Sequence, residues 1–234
     1  MDRPGWRHLW NLGFGLGSAA VAFLLGVAFG NLLRGIPIDE NGVYTGSFIG
    51  LLNPYALLTG IISLTLFTMH GAIYMCLKSN GVLHQRMKRW ATRSWILLAL
   101  LYLIYTIATF FVLPHLYKGG FNNFLFWFLF LLLLSSITYL PVALQNGKFV
   151  RAFFSSSCTI LSMIGLAAVG MFPALAPSNI EPSYSLTIYN SSSTPLTLRI
   201  MLIIALIGMP LVIAYTCYIY RIFKGKAVVQ EDGY

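Results

Sequence analysis

Phe124-Leu-Phe-Trp-Phe-Leu-Phe-Leu-Leu-Leu-Leu134 runs for eleven residues without a polar side chain other than the indole N–H. A strand of a membrane barrel alternates apolar and polar residues over about ten positions, and nothing alternates here. The stretch is read as part of a membrane-spanning helix, approximately Phe121 to Leu144. Five more apolar runs flank it, approximately Leu9 to Leu33, Pro54 to Leu77, Ser94 to Leu116, Ala152 to Ala174 and Thr197 to Tyr220. Each has the roughly 20 residues that cross a hydrocarbon core as a helix. The composition agrees: 58% of the residues are hydrophobic and 9% charged, against about 45–50% apolar in soluble domains. The expected fold is an all-α integral membrane protein, with a six-helix bundle over residues 1–223 and a short cytoplasmic tail over residues 224–234.

Charge sets the orientation. With the N-terminus in the cytoplasm, Arg3, Arg7, Lys78, Arg86, Lys88, Arg89, Arg93, Lys148, Arg151, Arg221, Lys224 and Lys226 lie inside, leaving Arg34, Lys118 and Arg199 outside. That asymmetry obeys the positive-inside rule and puts both termini in the cytoplasm. It also accounts for the net charge of +9 without a nucleic-acid partner, because the cations sort by membrane side. The inner loop Lys78 to Arg93 is the most basic segment; its Gln85 to Arg93 part suits a short interfacial helix against anionic lipid, with a solvated, lipid-facing stretch the preferred reading. The six carboxylates, Asp2, Asp39, Glu40, Glu181, Glu231 and Asp232, all fall outside the apolar runs. An acid at bilayer depth costs several kcal/mol and marks proton or ion chemistry; these spans carry none.

Other patterns point to packing. The first span carries two GxxxG pairs, Gly13 with Gly17 and Gly26 with Gly30. Small residues let helix backbones approach closely, and the two pairs point in different directions at 100° per residue. The span is therefore expected inside the bundle, touching more than one neighbour. Gly13-Phe-Gly-Leu-Gly-Ser follows no strand, so a dinucleotide loop is set aside. Cys76, Cys158 and Cys217 have no ligand spacing and read as small packing residues. The outer loop Ala176 to Leu196 is polar and expected to fold onto the protein, and its Asn190-Ser-Ser glycosylation pattern is short enough to be chance.

His70 is the one histidine deep within a span. As a haem ligand it would need a partner on the other face of the iron, and only Met69, Met75 and Met163 offer one at depth. A hydrogen bond to a neighbouring helix is the commoner use of such a group. His8 and His115 sit at membrane boundaries and His84 in the basic segment, so no metal site and no catalytic set is expected. The hydroxyls of Ser155, Ser156, Ser157 and Thr159 read as helix contacts. Ser63, Thr65, Thr68, Ser135, Ser136 and Thr138 read as interhelical hydrogen bonds before a wet path. The aromatic residues Tyr102, Tyr105, Phe110, Phe111, Phe121, Phe124, Phe126, Trp127, Phe128 and Phe130 suit either a quinone ring or a lipid-facing belt.

A resemblance joins these observations. Gly26-Val-Ala-Phe-Gly-Asn-Leu-Leu-Arg-Gly-Ile-Pro37, Tyr44-Thr-Gly-Ser-Phe-Ile-Gly-Leu-Leu-Asn-Pro-Tyr-Ala-Leu-Leu-Thr-Gly60, Met69-His-Gly-Ala-Ile-Tyr74, Phe172-Pro-Ala-Leu-Ala-Pro-Ser178 and Ile207-Gly-Met-Pro-Leu-Val212 closely resemble subunit II of the cytochrome bd-type quinol oxidases, in order and over essentially the whole chain. The resemblance implies an accessory subunit of a bacterial inner-membrane complex that oxidises quinol and reduces dioxygen. The haems b and d are then held by a larger subunit I, and this chain supplies no haem ligand and no catalytic residue. A structural quinone and a small single-span subunit are further components it leaves open. It also implies a departure: family members carry three more helices before the stretch matching Asp2 to Trp10, and their membrane-buried acids lie there. The sequence is accordingly expected to be N-terminally incomplete relative to the family. Two alternatives stand beside it: a small transporter or channel, which should show broken helices or an intramembrane charge, and a self-contained b-type cytochrome using His70.

Overall fold

The computed structural model describes residues 4–114, 116, 123–223 and 225. Six helices are long and apolar enough to cross a membrane. They are α1 (Pro4–Arg34), α2 (Pro54–Lys78), α3 (Gly81–Val112), α4 (Phe124–Gln145), α5 (Phe149–Met171) and α6 (Pro195–Ile222). Their starts follow from sequence. Asn53 accepts from Ala56 N at 3.0 Å just before Pro54, Asn123 accepts from Leu125 N at 2.9 Å, and Thr194 accepts from Thr197 N just before Pro195. Each side chain satisfies a backbone N–H that the first turn leaves without a partner, and proline at the first position loses nothing because its missing N–H had none to make. His115 and Phe121, the Lys118 connection and the 226–234 part of the tail lie outside the described residues.

α2 to α5 form the core. Met69, Ile73, Ala91, Leu98, Leu140, Leu144 and Ala152 are buried together between them, and the Trp95 indole donates to the Ile137 carbonyl at 3.0 Å, tying α3 to α4. α1 joins this bundle along α2. A Cβ placed on Gly26 would lie 2.8 Å from the Gly60 Cα, and one on Gly30 would lie 2.9 Å from the Ala56 Cα. A Cβ on Gly60 would in turn strike Phe23 and Val27 at 2.8 Å. Ser63 donates across the same seam to the Ala22 carbonyl at 2.9 Å. Where the seam ends, buried Asn31 donates to the Leu51 carbonyl at 2.7 Å. Its oxygen accepts from Asn53 at 2.8 Å, so one amide pair fixes the end of α1 and the start of α2.

Three expectations are corrected. Within this chain α1 is not interior: Trp6, Trp10 and Phe14 are exposed, and a Cβ on Gly13 or Gly17 would meet nothing within 4 Å. The basic segment is neither a loop nor a separate interfacial helix. Only Ser79 and Asn80 separate α2 from α3, and α3 runs unbroken for 32 residues, about 48 Å at 1.5 Å per residue. The span continues straight out of the hydrocarbon because no glycine or proline interrupts it between Gly81 and Val112. Of the six hydroxyls assigned to interhelical bonds, Thr65, Thr68, Ser135 and Thr138 instead donate to carbonyls of their own helix three or four residues back. Such a partner is always within reach of a helical serine or threonine, whatever the neighbouring helix offers.

On the outer side the two long loops fold over each other, as expected for residues 176–196. The short strands β1 (Ala174–Ala176) and β2 (Leu186–Thr187) pair antiparallel, Ile36 bridges Ser178, and Ser178 donates to the Ile38 carbonyl at 2.9 Å. Asn190 holds this loop, donating to the Ser185 carbonyl at 2.9 Å and accepting from Thr187 N at 2.7 Å. α6 has no buried residue. It is tied to the bundle at its cytoplasmic end, where the Lys78 ammonium donates to the Phe223 and Gly225 carbonyls at 3.3 Å.

The two glycine pairs should therefore respond differently to bulk. Gly26→Leu is expected to lower the unfolding free energy of the full chain in detergent by about 1–3 kcal/mol, as overpacking does. Gly13→Leu should change it by less than about 0.5 kcal/mol; equal losses would place Gly13 in a seam of its own.

Candidate functional site

His70 lies on α2 facing α5. Its Nδ1 is 2.7 Å from the Ser156 hydroxyl, and its ring lies on Phe153 with centroids 4.7 Å apart at 33°. Ser156 is fully buried and also donates to the Phe153 carbonyl at 2.8 Å. The hydroxyls of α5 continue along one face. Ser155 donates to the Ser136 carbonyl at 2.7 Å, and Thr159 pairs with the Ser136 hydroxyl at 3.0 Å, joining α5 to α4. Ser162 completes the face, fully buried and without a hydrogen-bond partner among the described residues. These groups can exchange hydrogen bonds. None stands beside a carboxylate, since Asp39, Glu40 and Glu181 are in the outer loops and Asp2, Glu231 and Asp232 lie outside the described residues.

A cavity of about 450 Å³ opens between α1, α2, α3, α4 and α5. Its walls are apolar, with Phe29, Phe126, Phe130 and Met163 among them, and its polar groups come from α2 and α3, including Tyr55, Thr59, Tyr105 and Thr109. The Tyr55 and Tyr105 rings stack at 5.1 Å and 25°. The Tyr55 hydroxyl pairs with the Thr109 hydroxyl at 3.0 Å, while Thr59 and Thr109 donate back to the Tyr55 and Tyr105 carbonyls at 2.9 and 2.7 Å. The volume lies in the range of ligand pockets, and the pattern of apolar walls with a few placed polar groups is theirs too.

Comparison with known proteins decides the family. Residues 1–223 match the model of the cytochrome bd terminal oxidase subunit II family. The chain belongs to this family. It is 32% identical to the probable cytochrome oxidase subunit 2 of Haemophilus influenzae, over 97% of this chain and 68% of that protein. It is 31% identical to the cytochrome bd-I ubiquinol oxidase subunit 2 of Escherichia coli K12, over 99% of this chain and 69% of the relative. Its fold matches a chain of the bd oxidase of Geobacillus thermodenitrificans with a TM-score of 0.75 and 16% identity, covering 93% of this chain and 65% of that one. This subunit II chain thus spans about two thirds of the length of its relatives. With bacterial relatives and six spans, it is a multi-pass protein of the bacterial inner membrane.

The structure sorts the residues that the sequence singled out in subunit II. Tyr102, Tyr105, Phe126 and Phe130 line the cavity. Phe111, Phe124 and Phe128 are exposed and do not line it. Gly26 also lines the cavity, so the close α1–α2 approach forms one of its walls. His70 follows Ser63 by two turns on the same face of α2, beyond the cavity, where it meets Ser156; none of His70, Ser155, Ser156 and Thr159 lines it. Sequence inspection missed Tyr55 and Thr59. Their four-residue spacing with Ser63 puts all three on one face of α2, a hydroxyl stripe within an apolar helix that was there to be seen.

A double-mutant cycle with His70→Phe and Ser156→Ala should give a coupling energy of about 0.6 kcal/mol in detergent unfolding, the average for hydrogen bonds within membrane proteins. A coupling indistinguishable from zero would remove His70 from the α2–α5 seam.

Proposed function

We propose that this chain is a non-catalytic accessory subunit of a cytochrome bd-type terminal oxidase, in which quinol oxidation is coupled to dioxygen reduction. A larger partner, subunit I, holds the haems b and d. The match of residues 1–223 to the subunit II family carries the proposal. The described spans support it, because they contain no carboxylate, the group that marks proton movement at bilayer depth. A haem does not fit His70. Its ring is covered by Phe153, and it does not line the apolar cavity.

Two further assignments belong to this reading. The surfaces uncovered within the chain, the N-terminal half of α1 with Gly13 and Gly17 and the whole of α6, are where we place the contact with subunit I. Glycines there let a foreign helix approach to backbone distance. The cavity suits a structural quinone, its ring against the stacked Tyr55 and Tyr105 and its isoprenoid tail along the apolar wall. In that place it would fill volume between α1 and the bundle. A transporter is disfavoured, because α1 to α6 are unbroken helices with no acid in them.

Affinity purification of the full chain from native membranes tests the reading. A haem-bearing partner should co-purify with wild type and be depleted with Gly13→Leu although the variant folds. Recovery of the chain without any haem protein would contradict the proposal. Solvent extraction of the same wild-type preparation should release quinone, and Ala167→Phe, which narrows the cavity, should reduce the yield.

A further inference from the structure

The continuous α3 helix places a set of charges that no carboxylate among the described residues answers. Arg86, Arg89, Trp90 and Arg93 are all exposed, and at 100° per residue they fall within an arc of roughly 100° on one face. Ala91, on the opposite side, is fully buried in the core. Farther along the same exposed face come Ile96, Leu97, Leu100 and Ile104, each about half exposed or more. The face is thus cationic at its cytoplasmic end, aromatic at Trp90 and purely apolar from Ile96 onward.

Dimensions fit this division to the layers of a bilayer. The apolar part, Ser94 to Val112, has 19 residues, about 28 Å, and spans a hydrocarbon core of about 30 Å. Arg93 then stands at the hydrocarbon edge, and Arg89 and Arg86 rise through the next ~10 Å, the headgroup region. Trp90 sits at the level that interfacial tryptophans favour. The carboxylates among the described residues, Asp39, Glu40 and Glu181, lie in the loops at the other end of the bundle, a full membrane thickness away. A row of guanidinium groups at headgroup depth attracts phosphate, and the planar donor fork of arginine binds it in bidentate fashion.

From these positions we propose that the exposed face of α3 is a binding site for an anionic diacyl phospholipid. Its phosphate is held by Arg86, Arg89 and Arg93, and its acyl chains lie along Ile96, Leu97, Leu100 and Ile104. Charge complementarity and the continuity of the apolar stripe below the arginines choose a lipid over a soluble anion. None of these residues lines the cavity.

The full chain purified from membranes is examined by native mass spectrometry after exchange with equal amounts of phosphatidylglycerol and phosphatidylcholine. Wild type should retain phosphatidylglycerol in preference, and the preference should fall about fivefold for each arginine changed to glutamine, as expected for one basic residue near an anionic surface. Arg7→Gln/Lys148→Gln/Arg151→Gln removes the same charge from the same membrane side and should leave the preference intact. Should the triple variant Arg86→Gln/Arg89→Gln/Arg93→Gln fail to fold, Arg89→Gln alone and quenching of tryptophan emission by brominated phosphatidylglycerol, reduced in Trp90→Phe, carry the test. Equal retention of both lipids by wild type would overturn the site, as would an equal loss in the Arg7, Lys148, Arg151 variant.

Discussion

Hydrocarbon offers a polar group no partner, and this constraint orders the rest of the molecule. It requires helices, since only they satisfy their backbone groups within one segment at bilayer depth. It also governs the side chains inside them. Thr65, Thr68 and Thr138 bond to their own helices, and Asn31 and Asn53 satisfy one another and the adjacent backbone. His70 and Ser156 meet across two helices. No carboxylate enters the described spans, because none could be paired there. The absence of buried acid and the presence of paired hydroxyls are one constraint seen twice.

Because lipid tails are as apolar as leucine, burial does not drive these helices together; close packing does. The α1–α2 seam is held where Gly26, Gly30 and Gly60 remove side chains from the contact, and a serine and an asparagine pair secure it. α6 has no such device. Its exposed residues include Ile204, Leu206, Ile207 and Leu211, and a lysine at one end ties it to the core. The chain thus has a tightly packed four-helix core, one helix joined by glycines and one helix left for other surfaces. That division fits a subunit whose role is to support a partner.

Much of this was legible in the sequence. Six spans and the family could be read from hydropathy and ordered local matches. The exact reach of the helices could not. The basic residues from Arg86 to Arg93 look like a loop by charge, yet they continue α3 because nothing between Gly81 and Val112 breaks the helix. The glycine pairs were visible but not their neighbours: Gly26 meets Gly60 while a Cβ on Gly13 would meet nothing within 4 Å among the described residues, and spacing alone cannot say which partner helix is present. The cavity was legible only in part. Tyr105 and Phe130 were noticed as aromatics, whereas the Tyr55–Thr109 pair joins residues 54 positions apart, a contact that exists only once α2 and α3 pack.

The central claim is that the redox chemistry of the complex lies outside this chain. The reduced-minus-oxidised absorption spectrum of the full chain, expressed and purified without other subunits, tests it most directly. The account predicts a visible region without haem bands. A haem band retained by the isolated chain and lost in His70→Ala would contradict it.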